Sequence, residues 1–173
     1  MKVVGVSGYS GAGKTTLIEQ LIPLLRAHGL RVSVVKHAHH AFDVDKPGKD
    51  SWRHRQAGAF EVLVASSRRM AKMREYEREA EPTALELLAE LSDCDWALLE
   101  GFRGAALPKI EVWRSAAGHP ALYAIDPHIV AICTDSPDAL PAPTRLPLLD
   151  LNRPQAVADY LLQNSARHEY RPN

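Results

Sequence analysis

A lysine set among glycines and followed by two threonines is an arrangement suited to holding a chain of phosphates, and it lies near the N-terminus. Gly8-Tyr9-Ser10-Gly11-Ala12-Gly13-Lys14-Thr15 fits G-x-x-x-x-G-K-[ST] at every fixed position. The glycines let backbone N–H groups converge on phosphate oxygens where a Cβ would obstruct. The helix opening at the loop turns its positive end to the anion. Lys14 supplies a movable charge to the β and γ phosphates, the Thr15 hydroxyl is suited to ligate magnesium, and Thr16 reaches the α-phosphate. The loop from Gly8 to Thr16 is therefore expected to hold a nucleoside triphosphate with magnesium.

Such a loop needs an acid at the end of a neighbouring strand to hold the metal through water. Asp95-Trp96-Ala97-Leu98-Leu99-Glu100-Gly101 supplies one. The apolar run reads as a buried strand, with Glu100 at its C-terminal end, where ligands of open sheets bind. Asp95 stands at the wrong end. For the base, no Asn-Lys-x-Asp motif is present. Thr134-Asp135, after the apolar run Ile129 to Cys133, is the best substitute. An Asp135 carboxylate can accept from guanine N1 and N2, or simply open a turn before Pro137.

The elements that must position these groups alternate along the chain. Lys2 to Val6 reads as a buried strand, Thr16 to His28 as a helix ending at Gly29 and kinked at Pro23, and Leu30 to Lys36 as a second strand. A helix runs through Gln56 toward Gly58, capped by Asp50 or Ser51. Further strands cover 61–65, 96–99, 110–113 and 129–133, with a short one at 148–151, and helices cover 83–91 and the stretch after Asn152. This alternation predicts a three-layer α/β fold: a mostly parallel sheet with helices on both faces. The segment 105–126 has strands without an intervening helix, which predicts a local antiparallel extension there. One domain over 1–164 and a frayed tail over 165–173 are expected.

Two polar stretches remain open. His37, His39, His40, Asp43 and Asp45 admit a metal site or a solvated loop. The same stretch, with Lys46 and Lys49, can instead meet the phosphates of a second ligand. Asp50 is a candidate for the nucleotide or magnesium shell, or the helix cap. Arg68, Arg69, Arg74 and Arg78 read as a solvated face, a kinase-like lid, or a grip on an anionic partner. Lys109, Glu111 and Arg114 share the polar side of one strand, either a partner surface or an edge protected by charge.

Composition narrows the classes. The 173 residues are 46% apolar and 24% charged, with zero formal net charge. Nothing in that balance suggests a long nucleic acid as partner. No stretch approaches the roughly 20 apolar residues that span a bilayer. Cys94 and Cys133 have no metal-type spacing and read as buried free thiols of a cytoplasmic protein.

Taken together, GYSGAGKTT, the stretch VKHAHHAFDVDKPGKDSWRHRQAGA from Val35 to Ala59, LLEGFR from Leu98 to Arg103 and PKIEVWR from Pro108 to Arg114 resemble the MobB family, in order as far as about Asn152. The resemblance implies a P-loop NTPase fold that binds GTP with Mg2+ and hydrolyses it weakly. It implies a homodimer that assists the molybdenum cofactor guanylyltransferase (MobA) in converting molybdopterin to its guanine dinucleotide. The implied nucleotide contacts are Gly11, Ala12, Gly13, Lys14, Thr15 and Thr16, with Thr15 and Glu100 toward the metal. The rival readings are a P-loop small-molecule kinase and a dimerising regulatory ATPase. The latter class often carries a second, earlier lysine in this loop, and this loop has Tyr9 and Ser10 there.

Overall fold

A computed structural model describes residues 1–38, 42–78 and 80–171, so His39, His40 and Glu79 lie outside the described residues. In chain order the elements are β1 (Lys2–Ser7), α1 (Lys14–Arg26), β2 (Val32–Lys36), α2 (Asp50–Gln56), β3 (Glu61–Ala65), β4 (Met70–Arg74), α3 (Ala84–Ala89), β5 (Trp96–Glu100), β6 (Lys109–Trp113), β7 (Ile129–Thr134), β8 (Leu148–Asp150) and α4 (Pro154–Gln163). Short 3₁₀ turns cover Ser115–Ala117, Pro137–Ala139 and Ser165–His168. Where the sequence predicts one domain, two compact units form: Met1–His37 with Thr83–Asn173, and Ala38–Pro82.

The first unit is built on a six-stranded sheet of order β2-β5-β1-β6-β7-β8. Every strand pair in it is parallel. Both faces are covered, which is why its strands read as continuous apolar runs rather than alternating ones. On one face Val4, Val6, Trp96, Leu98, Ile110 and Val112 meet Leu17, Leu21 and Leu25 of α1 and Val157 and Leu161 of α4. On the other, Val3, Ala97 and Leu99 meet Ala84 and Leu88 of α3. The period of two along each strand sorts neighbours to opposite cores.

The helix α1 presents Leu17, Ile18, Leu21 and Leu25 to the core and runs on through Pro23. Pro23 is on the exposed side, so the carbonyl it leaves without a donor can turn to water. α3 opens with a capping box: Thr83 accepts from the Glu86 N–H while Glu86 reaches back to Thr83.

The structure corrects the reading of residues 105–126. β6 is no edge or hairpin strand; it lies between β1 and β7, parallel to both. Its charges are buried and internally satisfied. Lys109, 2% exposed, donates to the carbonyls of Arg103 (2.7 Å) and Ala105 (2.8 Å) and pairs with Asp126 at 2.7 Å. The Glu111 carboxylate accepts the Leu122 and Tyr123 N–H groups at 2.6 and 2.7 Å. Burial pushes the Glu111 carboxyl up, against those two N–H donors. Gly5 leaves room for this arrangement, since a Cβ there would stand 2.5 Å from Lys109 Cγ. Arg114 does not share the Lys109 side; it follows β6 at the phosphate-loop end of the sheet.

The tail also differs from expectation. β6 joins β1 only from Gly5 onward, leaving the first residues of β1 open on that edge. Residues after Ser165 fill it: Glu169 bridges to Lys2, the Tyr170 N–H donates to the Met1 carbonyl at 2.9 Å, and His168 is buried with Nδ1 3.2 Å from the Val3 carbonyl. Cys133 is buried as expected, and burial pushes its thiol up to about 12. Among the described residues no helix is long and apolar enough to cross a membrane.

The second unit holds α2 and the antiparallel pair β3–β4, running Glu61↔Arg74 to Ala65↔Met70. The antiparallel element thus lies in residues 61–74, where the strand expected at 61–65 pairs with a second strand that falls among the arginines from Arg68 to Arg78. Arg74 hydrogen-bonds Glu61 across the pair, and Arg68 and Arg69 form its turn over Ser66. A strand arginine paired to its neighbour does not fit a kinase-like lid. Asp50 is not the cap of α2; Lys49 holds that position and Asp50 opens the helix, with its carboxylate exposed and 4.0 Å from Arg53. Arg55 is nearly enclosed by Asp43 (2.8 Å), Asp45 (3.1 Å) and Glu75 (2.7 Å), and Ser51 donates to Asp45. Asp43 and Asp45 are therefore occupied by an arginine rather than held ready for a metal. Among the described residues no group of three His, Cys, Asp or Glu side chains is placed to hold a metal ion.

Candidate nucleotide site

The loop from Gly8 to Gly13 joins the C-terminal end of β1 to the start of α1, the point at which a parallel sheet presents its ligands. Gly8 is obligatory: its φ is +138° and a Cβ would stand 2.4 Å from the Val112 carbonyl oxygen. Gly13 caps α1 in the left-handed conformation and supplies no side chain to the first-turn N–H groups. No acidic residue occupies that first turn. The start of a helix leaves such N–H groups for an anion to bind.

The side chains expected to act there converge. Thr15 Oγ1 donates to Glu100 Oε1 at 2.6 Å. The register of β1 against β5 puts Val6 opposite Glu100, so the acid stands beside the loop's first residues. Glu100 is 8% exposed, and its second oxygen faces Lys36 Nζ at 3.4 Å. Lys36 ends β2, and the next residue, His37, donates its N–H to the Glu100 carbonyl at 2.9 Å. Lys14 Nζ rests on the Tyr9 carbonyl at 2.8 Å. Burial lowers the Lys14 ammonium from its ordinary range; Glu100 opposes that, while Arg103 and Lys36 add to it. Ala12 is buried under the loop, and Gly11, Thr15 and Thr16 are exposed on it.

Asp135 lies at the same end of the sheet, one residue past β7. It accepts from Ser136 Oγ at 2.8 Å and pairs with Arg114 Nε at 3.4 Å. Arg114 packs over the loop, 3.9 Å from where a Gly13 Cβ would stand. A cavity of about 380 Å³, lined by Gly11, Gly13, Thr16, Gln20, Arg114 and Asn152 among others, opens beside the start of α1. Sequence reasoning missed Arg114 and Lys36 as site residues, though each sits at the C-terminal end of a strand. It also missed Arg103, which follows Glu100 by three residues and donates Nη2 to the Gly8 carbonyl at 3.2 Å.

The donor set fits magnesium: a hydroxyl and a carboxylate are hard oxygen ligands, and Mg2+ commonly completes its shell with phosphate and water. Thr15 and Glu100 would hold it, and the ion would neutralise charge on the β and γ phosphates.

The model of the MobB family, described as molybdopterin guanine dinucleotide synthesis protein B, matches residues 3–135. A Haemophilus influenzae protein named molybdopterin-guanine dinucleotide biosynthesis adapter protein is 43% identical over 162 residues, covering 92% of this chain and 86% of the relative. An Escherichia coli protein of the same name is 42% identical over 165 residues, covering 93% and 91%. A crystal structure of a molybdopterin-guanine biosynthesis protein B superposes with a TM-score of 0.70 at 29% identity, covering 93% of this chain and 98% of that one.

Proposed function

The chain belongs to the MobB family, and from that premise we propose that it is a GTP-binding adapter for making molybdopterin guanine dinucleotide. In this reading the loop Gly8–Thr16 holds GTP with Mg2+ and hydrolyses it slowly. The protein acts as a homodimer beside the molybdenum cofactor guanylyltransferase (MobA) and meets molybdopterin or its guanine dinucleotide. Gly11, Ala12, Gly13, Lys14, Thr15 and Thr16 contact phosphates through backbone N–H groups, the ammonium and the hydroxyls. Thr15 and Glu100 face the metal.

The observation that carries the reading is the Thr15–Glu100 contact at 2.6 Å beside Lys14. It joins a loop that binds phosphate to the acid that a bound metal requires. Asp135 is proposed to read the guanine Watson–Crick edge, which adenine cannot match with two donors. Asp50, in the second unit, is retained as a candidate contact of the nucleotide or its magnesium shell.

The test is a calorimetric titration of the purified protein with GTP and then ATP, each with magnesium. Tighter GTP binding by about 1.4 kcal/mol is a tenfold preference and supports the reading. Equal affinity, or preference for ATP, removes guanine from it and leaves a triphosphate site alone.

A further inference from the structure

Among the described residues Arg103 forms no ion pair with a carboxylate. Its Nη2 donates to the Gly8 carbonyl at 3.2 Å, and its guanidinium lies 4.0 Å from the centre of the Tyr9 ring. Tyr9 in turn stacks on His119, with centroids 4.6 Å apart and planes 16° from parallel. A guanidinium carries five N–H donors, and among the described residues one goes to a protein acceptor. The side chain is exposed, but the backbone below it is not free. The buried Lys109 ammonium, paired with Asp126, binds the carbonyls of Arg103 and Ala105, and so ties the segment after Glu100 to the central strand β6.

Lys14 is placed in the same way. It rests on the Tyr9 carbonyl, so two consecutive carbonyls of the phosphate loop hold two cations. For Lys14 that contact is a resting one, since the motif assigns its ammonium to the β and γ phosphates. Arg103 occupies the end of the loop away from Thr16, the residue assigned to the α-phosphate. Both cations therefore stand on the first two residues of the loop, and Lys14 is the group assigned to the β and γ phosphates. A planar fork there suits phosphate oxygens better than a carbonyl does.

We propose that Arg103 is a phosphate ligand that leaves the Gly8 carbonyl for the γ-phosphate, so that this residue distinguishes tri- from diphosphate. The His119–Tyr9 stack holds the guanidinium in its resting position, and the Lys109–Asp126 pair fixes the backbone from which it swings. This inference rests on the nucleotide reading above.

Its test is calorimetry of the whole protein with GTP and with GDP, in excess magnesium, for wild type, Arg103→Ala and Arg103→Lys. Arg103→Ala is expected to weaken GTP by about tenfold or more while changing GDP by less than about twofold. Arg103→Lys, which keeps the charge and loses the fork, is expected to lie between. Retained GDP affinity shows at the same time that the loop is folded. Equal loss for both nucleotides, or no loss for either, overturns the role of Arg103 and leaves the nucleotide reading standing. If Arg103→Ala melts far below wild type, Arg103→Lys decides: a loss confined to GTP supports the role and an unselective one overturns it. Wild type that binds neither nucleotide overturns both readings at once.

Discussion

Glu100 stands where an aspartate is the usual acid, and its extra methylene lets one carboxylate reach both Thr15 at 2.6 Å and Lys36 at 3.4 Å. In a buried position those two contacts fix its direction. Glu100→Gln keeps the shape and removes the charge, so the loss should fall on the metal. GTP affinity in magnesium is expected to drop by about tenfold or more, with little change when the metal is chelated. Equal losses in titrations with magnesium and with EDTA would take Glu100 out of the metal role. Lys14→Ala is expected to weaken GTP by about 10- to 100-fold, from roughly 1.5–3 kcal/mol for a hydrogen bond to a charged group. Unchanged affinity in the same titration would discard the phosphate loop as the site. Lys14 was legible in the sequence because the loop is local, with eight consecutive positions carrying the geometry, and Glu100 because it ends an apolar run that marks a buried strand. Arg103 and Arg114 were not, because a long side chain's destination depends on elements far along the chain. Arg103 touches Gly8, and Arg114 touches Asp135 and lies over Gly13.

At the scale of elements, the same distinction separates what the sequence revealed from what it hid. β1, β5 and β7 are apolar on both faces and were legible as central strands. β6 was legible as a strand, but its central position was hidden by Lys109 and Glu111, because charge in alternation with apolar residues ordinarily means a solvated edge. Here each charge finds its partners inside the fold, from loops that no local pattern marks. Lys109→Met should therefore destabilise far more than an exposed lysine would. It leaves Asp126 and two carbonyls without their cation, and breaking one side of a buried pair costs about 3–5 kcal/mol. Gly5→Ala acts on the same contact from β1, since its Cβ must displace the buried Lys109 stem. Overpacking of that kind costs about 1–3 kcal/mol. Urea unfolding checks both: midpoints within error of wild type would mean that the Lys109 contacts contribute nothing to stability. β4 was hidden for a related reason. Its Lys72 and Arg74 read as surface charge, and they are, but they pair with Glu61 across an antiparallel ladder.

The first unit as a whole closes on its own N-terminal strand. β6 begins too late to cover the start of β1, and the segment from Ser165 to Tyr170 completes that edge, burying His168 against Val3 and Trp96. A mostly polar and charged sequence after the last helix gave no sign of this, because the vacancy it fills is a property of strand register. The burial has a consequence for pH. Desolvation lowers the His168 pKa from its ordinary 6.5, against the bond to the Val3 carbonyl, so the folded chain holds this imidazole neutral. Above about pH 6.5 it is neutral in both states and has no effect on stability. As pH falls below that value the unfolded chain takes up a proton that the folded chain refuses, so stability declines down to the folded pKa. One proton gives at most about 1.4 kcal/mol per pH unit. Urea midpoints of wild type should therefore fall between about pH 7 and pH 5, and those of His168→Gln should fall less steeply, from a lower starting stability. Parallel slopes for the two proteins would mean that His168 titrates alike folded and unfolded, and that the tail opens from β1 as freely as its sequence suggests.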